Sequence, residues 1–174
     1  RVVSATDFAL RDGLVSAKLA GATGVVKSTA GTVTLSGVNE FSGRVGVTGG
    51  RLQFAADAHL GDGSLTNDIL LDGGTLAFTP ASTLVLSANR AVTFGPANGT
   101  IEVAHAAGSL TLASVGAAGT GNLIKTGQGT LVLPGSVAWN SGQSTVSVQQ
   151  GVLQAGFGTS GVSAITIGGA GTLR

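Results

Sequence analysis

The chain has 174 residues, 43% hydrophobic but only 10% charged and 4% aromatic, with 30 glycines, 3 prolines and a formal net charge of +1. That length supports one sizeable core, the near-neutral charge leaves no basic stripe for nucleic acid or an anionic membrane, and zero cysteine removes disulfides, thiolate metal sites and a thiol nucleophile. Glycine without a G-X-Y period excludes collagen, the Val, Leu and Ile content excludes a disordered linker, and no apolar run nears the roughly 18 residues of a membrane helix.

The first 20 residues hold two strand-like pieces, Val2-Val3 and the alternating Val15, Ala17 and Leu19, divided by the turn signal Asp12-Gly13. A helix over residues 9–19 is disfavoured, because Gly13 interrupts it and the apolar period is nearer 2 than 3.6. Residues 24–35 read as strand, turn, strand through Val33 and Leu35, followed by a loop from Gly37 to Gly43 around Phe41. Val45 and Val47 then predict a strand, Gly49-Gly50 a turn, and Leu52 and Phe54 another strand. A short helix fits residues 55–60.

That last module recurs. Ile69, Leu71, Leu76 and Phe78 form a second case, and Val92, Phe94, Ile101 and Val103 a third. Val146, Val148 and Leu153 form a fourth, and Ile165, Ile167 and Leu173 a fifth. Start-to-start spacings are 24 residues from Val45, 23 from Ile69 and 19 from Val146. A drifting period of this size is the mark of a solenoid, in which short strands bury a face only by stacking on copies of themselves. The alternation sends Val45, Val47, Leu52, Phe54, Ile69, Leu71, Leu76, Phe78, Val92, Phe94, Ile101 and Val103 into one core. It sends Gly46, Thr48, Gln53, Leu70, Ala77, Thr93 and Glu102 outward.

A longer stretch is duplicated. Residues 24–35 lie over residues 121–133, so that Lys27 falls on Lys125, Thr32 on Thr130 and Leu35 on Leu133, each 98 residues apart. The two copies run on to about residues 54 and 155. LIKTGQGTLVL (123–133) and GVTGGRLQF (46–54) resemble the passenger-associated repeat of bacterial autotransporters, the type V secreted proteins. In the first copy Lys27, Gly31, Thr32, Leu35, Gly37, Asn39, Phe41, Gly43, Val47, Gly50 and Leu52 match the repeat. In the second, Lys125, Gly127, Gly129, Thr130, Leu131, Leu133, Gly135, Trp139, Thr145, Val146, Gly151 and Leu153 match it. Thr29 stands where the second copy has Gly127, Pro134 replaces Ser36, and Gln149-Gln150 replace the usual glycines.

The resemblance implies an all-β right-handed parallel β-helix, which at this period makes about seven or eight coils. It implies a single segment over residues 1–174 of a longer passenger, exposed on the surface of a Gram-negative bacterium. The parent chain would carry a C-terminal outer-membrane barrel. The resemblance brings no catalytic residues, since the repeat is structural. Residues 165–173 repeat the module up to Arg174 without a cap, so the parent chain is expected to continue there and before Arg1.

Few residues invite a chemical reading. Residues 156–161 spell G-x-G-x-x-G, but strand-like residues follow and no acidic residue lies about 20 positions on, so no dinucleotide site is expected. Asn98-Gly99-Thr100 reads as a tight turn rather than a glycosylated sequon. His59 and His105 lie 46 residues apart, no G-x-S-x-G elbow occurs, and both read as turn histidines. Asp57, Asp62, Asp68 and Asp72 crowd one region with His59, yet fit neither an EF-hand loop nor the G-G-x-G-x-D repeat, and turn aspartates are ordinary. The expected inventory therefore holds no catalytic, cofactor-binding or metal residue.

The leading functional expectation is a surface-exposed adhesin rod or stalk. Its partners would be host-cell or bacterial surface proteins or glycans, met through the loops at 55–66, 113–120 and 136–144. The alternatives are a folding-promoting stem and a polysaccharide-acting β-helix enzyme, for which Arg44, Arg51, Asp68 and Asp72 are the candidate groups. An antiparallel β-sandwich module is disfavoured by the recurrence.

Overall fold

Strands of three or four residues cannot bury a face alone, and each here finds its cover in the preceding and following turn of the chain. The computed structural model describes residues 2–4, 8–116, 119–134, 144–156 and 162–174. Gly135, Trp139 and most of the G-x-G-x-x-G stretch lie outside the described residues. In chain order the strands are β1 (Val2–Ser4), β2 (Phe8–Leu10), β3 (Gly13–Val15), β4 (Lys18–Gly21), β5 (Val25–Lys27), β6 (Thr32–Leu35), β7 (Glu40–Phe41), β8 (Val45–Val47) and β9 (Arg51–Phe54). A 3-10 turn (Asp57–Leu60) follows, where the short helix is expected. Then come β10 (Ile69–Leu71), β11 (Thr75–Phe78), β12 (Thr83–Val85), β13 (Val92–Phe94), β14 (Gly99–Val103), β15 (Ser109–Thr111), β16 (Leu123–Thr126), β17 (Thr130–Leu133), β18 (Ser144–Ala155) and β19 (Val162–Leu173).

Every described strand pairing is parallel, and the strands stack on three faces. The first face runs β2-β5-β8-β10-β13. The second runs β3-β6-β9-β11-β14-β16-β18-β19, and the third starts as β1-β4-β7 and resumes as β12-β15-β17 with the second half of β18. The chain is a parallel β-solenoid. Val45 registers with Ile69, Ile69 with Val92, and Val146 with Ile165, as the spacings predict. The stack makes about six turns, slightly fewer than expected.

All twelve residues expected in the core are buried, and Leu35 and Leu133 are buried with them. Phe54 and Phe78 add a tilted ring contact with centroids 5.7 Å apart. Two outward-facing positions, Gly46 and Ala77, are nevertheless buried, because larger neighbours on adjacent layers close over such small residues. At the N-terminus, Val15, Ala17 and Leu19 do not form one alternating piece. The chain turns a corner after β3, and Leu19 belongs to β4 on another face. The strand β2 is an addition that its three residues alone did not signal.

The two repeat copies are one face out of phase. The lysine-bearing strand β5 lies on the first face, paired with β2 and β8, whereas its counterpart β16 lies on the second, paired with β14 and β18. Between β14 and β16 the chain supplies β15 to the third face and Val115, bridged to Val92, to the first. The second copy therefore begins one face further round.

Candidate functional site

The repeat residues converge on the turns between faces. Lys27 and Lys125 are fully buried, each in an otherwise apolar column: Leu10–Lys27–Val47–Leu71–Phe94 and Leu52–Leu76–Ile101–Lys125–Val148. Lys125 Nζ donates to the carbonyls of Thr126 at 2.6 Å, Gly127 at 2.8 Å and, one turn later, Gln150 at 3.1 Å. Lys27 Nζ donates to the Thr29 carbonyl, to Thr29 Oγ1 at 3.1 Å and, one turn later, to the Gly49 carbonyl at 3.3 Å. Burial pulls the Lys125 pKa down to about 8, opposed by the Glu102 carboxylate. Burial lowers Lys27 too, opposed by Asp12.

A left-handed glycine follows the next-turn acceptor of each ammonium. Gly50 (φ 63°) and Gly151 (φ 73°) follow the acceptors Gly49 and Gln150 and adopt the left-handed conformation that L side chains resist. A Cβ on Gly50 would stand 2.6 Å from Lys27 Nζ and collide with the Thr29 and Gly31 carbonyls. One on Gly151 would meet the Gly127 and Gly129 carbonyls, the matching positions of the other copy. Thr32, Thr130, Leu52 and Leu153 open or occupy the strands after these turns, and Leu52 and Leu153 are buried. Gly37 packs on the Ala17 carbonyl, and Phe41 is buried in β7.

Sequence reasoning missed a third internal cation, Arg90. Arg90 is fully buried and donates to Asp57 Oδ1 at 3.2 Å, to the Leu60 carbonyl at 2.8 Å and to the Asn67 carbonyl at 3.2 Å and its side-chain oxygen. It thereby pins the excursion that follows β9. Asn67 also accepts from Gly63 N–H at 3.0 Å and donates to the Gly43 carbonyl at 2.7 Å. Arg90 has no local signal, because its acceptors lie 23 to 33 residues upstream.

The aspartates of the crowded region go to separate partners. Asp57 pairs with Arg90, Asp62 accepts from Ser64 N–H at 2.9 Å, Asp68 pairs with Arg44, and Asp72 accepts from Ala97 N–H at 2.7 Å. Among the described residues no three His, Asp or Glu side chains gather as a metal-ligand set. His59 Nδ1 accepts from Ala55 N–H at 3.3 Å and His105 Nδ1 from Ala107 N–H at 3.1 Å, so both serve turns. Asn98 has φ 65° and belongs to a tight turn, its side-chain oxygen accepting from Asn122 N–H at 3.0 Å.

Three of the four enzyme candidates share a place. Arg44, Asp68 and Asp72 line an open groove of about 320 Å³ on the first face, together with Leu70, Thr93 and Pro96. Arg44 binds both Asp68 oxygens, at 2.7 to 3.0 Å, and this pairing raises the Arg44 pKa. Arg51 instead pairs with Glu102 on the second face. The groove's charges thus hold one another or a backbone amide. Among the described residues no helix is long and apolar enough to cross a membrane.

Known proteins match both the duplication and most of the chain. A family model for the passenger-associated-transport-repeat matches residues 25–54 and 123–155. The adhesin BmaC autotransporter of Brucella suis biovar 1 (strain 1330) is 37% identical over 133 residues, covering 76% of this chain and 4% of that protein. The chain spans a small fraction of that relative's length. No solved structure matches it. Two matched repeats, each wound here into the same parallel β-solenoid, together with the similarity over most of the chain, make this chain an autotransporter passenger segment carrying the passenger-associated-transport-repeat.

Proposed function

We propose that this chain is one β-helix segment of an adhesin rod, carried on the surface of a Gram-negative bacterium by a parent protein with a C-terminal outer-membrane barrel. The observation that carries this reading is the similarity to an adhesin autotransporter over 76% of the chain, on a solenoid whose stacked faces span nearly all described strands. The segment works without catalysis or cofactor. Its internal cations bond turn carbonyls, and its groove charges are paired, which suits a scaffold better than a proton-transferring site. Contact with host-cell or bacterial surface proteins or glycans falls to the excursions from the stack, which vary without disturbing the strand columns.

The test compares cell adhesion of the parent protein with variants in which loops 55–66, 113–120 and 136–144 are replaced while Asp57, Leu60, Val115 and every core strand are kept. Lower adhesion with normal surface display supports a contact role. Unchanged adhesion in all three assigns the segment to the stalk. Loss of display assigns it to folding during export, as a stem. Cleavage of a polysaccharide that is lost on Asp68→Asn would overturn the non-catalytic reading.

A further inference from the structure

The chain has three lysines, and two of them are fully buried. That is an unusual allocation for the side chain among the least often buried. Packing alone does not demand it, since the same columns accept Val47, Leu71, Ile101 and Val148 in neighbouring layers. What distinguishes the lysine layers is the end of the side chain. Each ammonium meets backbone oxygens of its own turn and one of the turn above: Thr126, Gly127 and Gln150 for Lys125, and Thr29 and Gly49 for Lys27. The two sites lie on different faces of the solenoid, so the same arrangement has been built twice in different surroundings.

The geometry points to a tethered-cation site: turn carbonyls of two successive coils form a cage for a primary alkylammonium ion, and Lys27 and Lys125 supply that ion covalently. Carbonyl dipoles on one side of the cation offset part of its lost hydration, which an apolar interior would not. The cage is split between coils. Lys125 finds two acceptors in its own turn and the third only once Gln150 arrives, and Lys27 likewise waits for Gly49. The left-handed glycines border the cage: a Cβ on Gly50 would stand 2.6 Å from the Lys27 ammonium, and one on Gly151 would strike the Gly127 carbonyl that accepts from Lys125. The repeat's lysine and glycine are therefore one binding device that ties a coil to its successor.

The ligand can be cut free to test this. Lys125→Ala removes a propylammonium fragment, and n-propylammonium added to the full chain carries the same atoms. The variant's thermal midpoint is expected to fall by about 5 °C or more and to recover in part with n-propylammonium, by ligand linkage. At matched ionic strength, n-propanol and tetramethylammonium should give no such recovery, and the unsubstituted chain should not respond. Equal recovery with n-propanol would mean that filling space suffices and would overturn the proposal, as would no recovery with n-propylammonium.

Should Lys125→Ala fail to fold, its refolding yield with and without n-propylammonium provides the same comparison. Lys125→Met, which keeps the stem's bulk, should fold with a lowered midpoint, and a midpoint at or above the original overturns the proposal. Amine acetylation at neutral pH should modify Lys18 in the folded chain and spare Lys27 and Lys125. Reaction of either at the Lys18 rate overturns it too.

Discussion

Arg51 on β9 reaches diagonally across β11 to Glu102 on β14, with Nε 2.8 Å from Oε2 and Nη2 3.0 Å from Oε1. The strand between them carries Ala77, buried in register with both Gln53 and Glu102. Only a small side chain at 77 lets two charged groups two layers apart meet above it. This tie is on the outer surface, where solvent screens it. A double-mutant cycle on Arg51 and Glu102 should give a coupling of about 0.5–1 kcal/mol that shrinks with added salt. Ala77→Leu should abolish the coupling while leaving both charges in place.

Leu71 lies fully buried between Val47 and Phe94 in the first-face column. Leu71→Asp places an unpaired carboxylate there and should cost on the order of 4 kcal/mol or more. Chemical denaturation measures it, and a change inside about 0.5 kcal/mol, the usual surface range, would remove Leu71 from the core.

Gly50→Ala and Gly151→Ala combine a positive φ with collisions against carbonyls of the turn below. Each should destabilise by about 2 kcal/mol or more. Gly13 also has a positive φ of 102°, but a Cβ there meets nothing within 4 Å. Gly13→Ala should cost only the backbone term, about 1 kcal/mol. Denaturant midpoints at unchanged slope rank the three, and equal costs would show that the stacked turns tolerate a methyl group.

Stability should rise with pH on the alkaline side. Burial holds Lys125 at about 8 in the folded chain, below its ordinary 10.5. Between those values the unfolded chain carries more protons than the folded one, so raising pH favours folding. The Lys125 contribution is fully present above 10.5 and is lost as pH falls through 8. Lys27 shifts in the same direction. The thermal midpoint measured from pH 7.5 to 10 should therefore climb, and Lys125→Met should flatten the climb. A midpoint that falls across this range would mean that the carbonyl cage outweighs desolvation.

Chelation should leave the fold untouched. Asp57, Asp62, Asp68 and Asp72 accept from Arg90, Ser64, Arg44 and Ala97 respectively, which commits at least one oxygen of each. EDTA is expected to leave the thermal midpoint unchanged, and a drop of about 10 °C, worth several kcal/mol, would reveal a structural cation in that region.

The inward set from Val45 to Val103 was legible in the amino-acid order because alternation along a strand is a local property with period 2. The layer spacing was legible as well, since equal lengths of chain return each apolar pair to the same column, as Val45, Ile69 and Val92 do. The corner between Val15 and Leu19 was not, because alternation continues across a bend while the face changes.

Sequence alone thus determined the parallel solenoid, its core-facing residues and the kinship of Lys27 with Lys125. Tertiary structure decided which face each copy occupies, because that depends on how many corners residues 104–122 turn. It also decided that Lys27, Lys125 and Arg90 lie inside. A buried cation is tolerable only where acceptors converge on it, and some or all of these acceptors sit 22 to 33 residues away along the chain. No local pattern encodes that distance, and only the stacking of one turn on the next brings the oxygens to the charge.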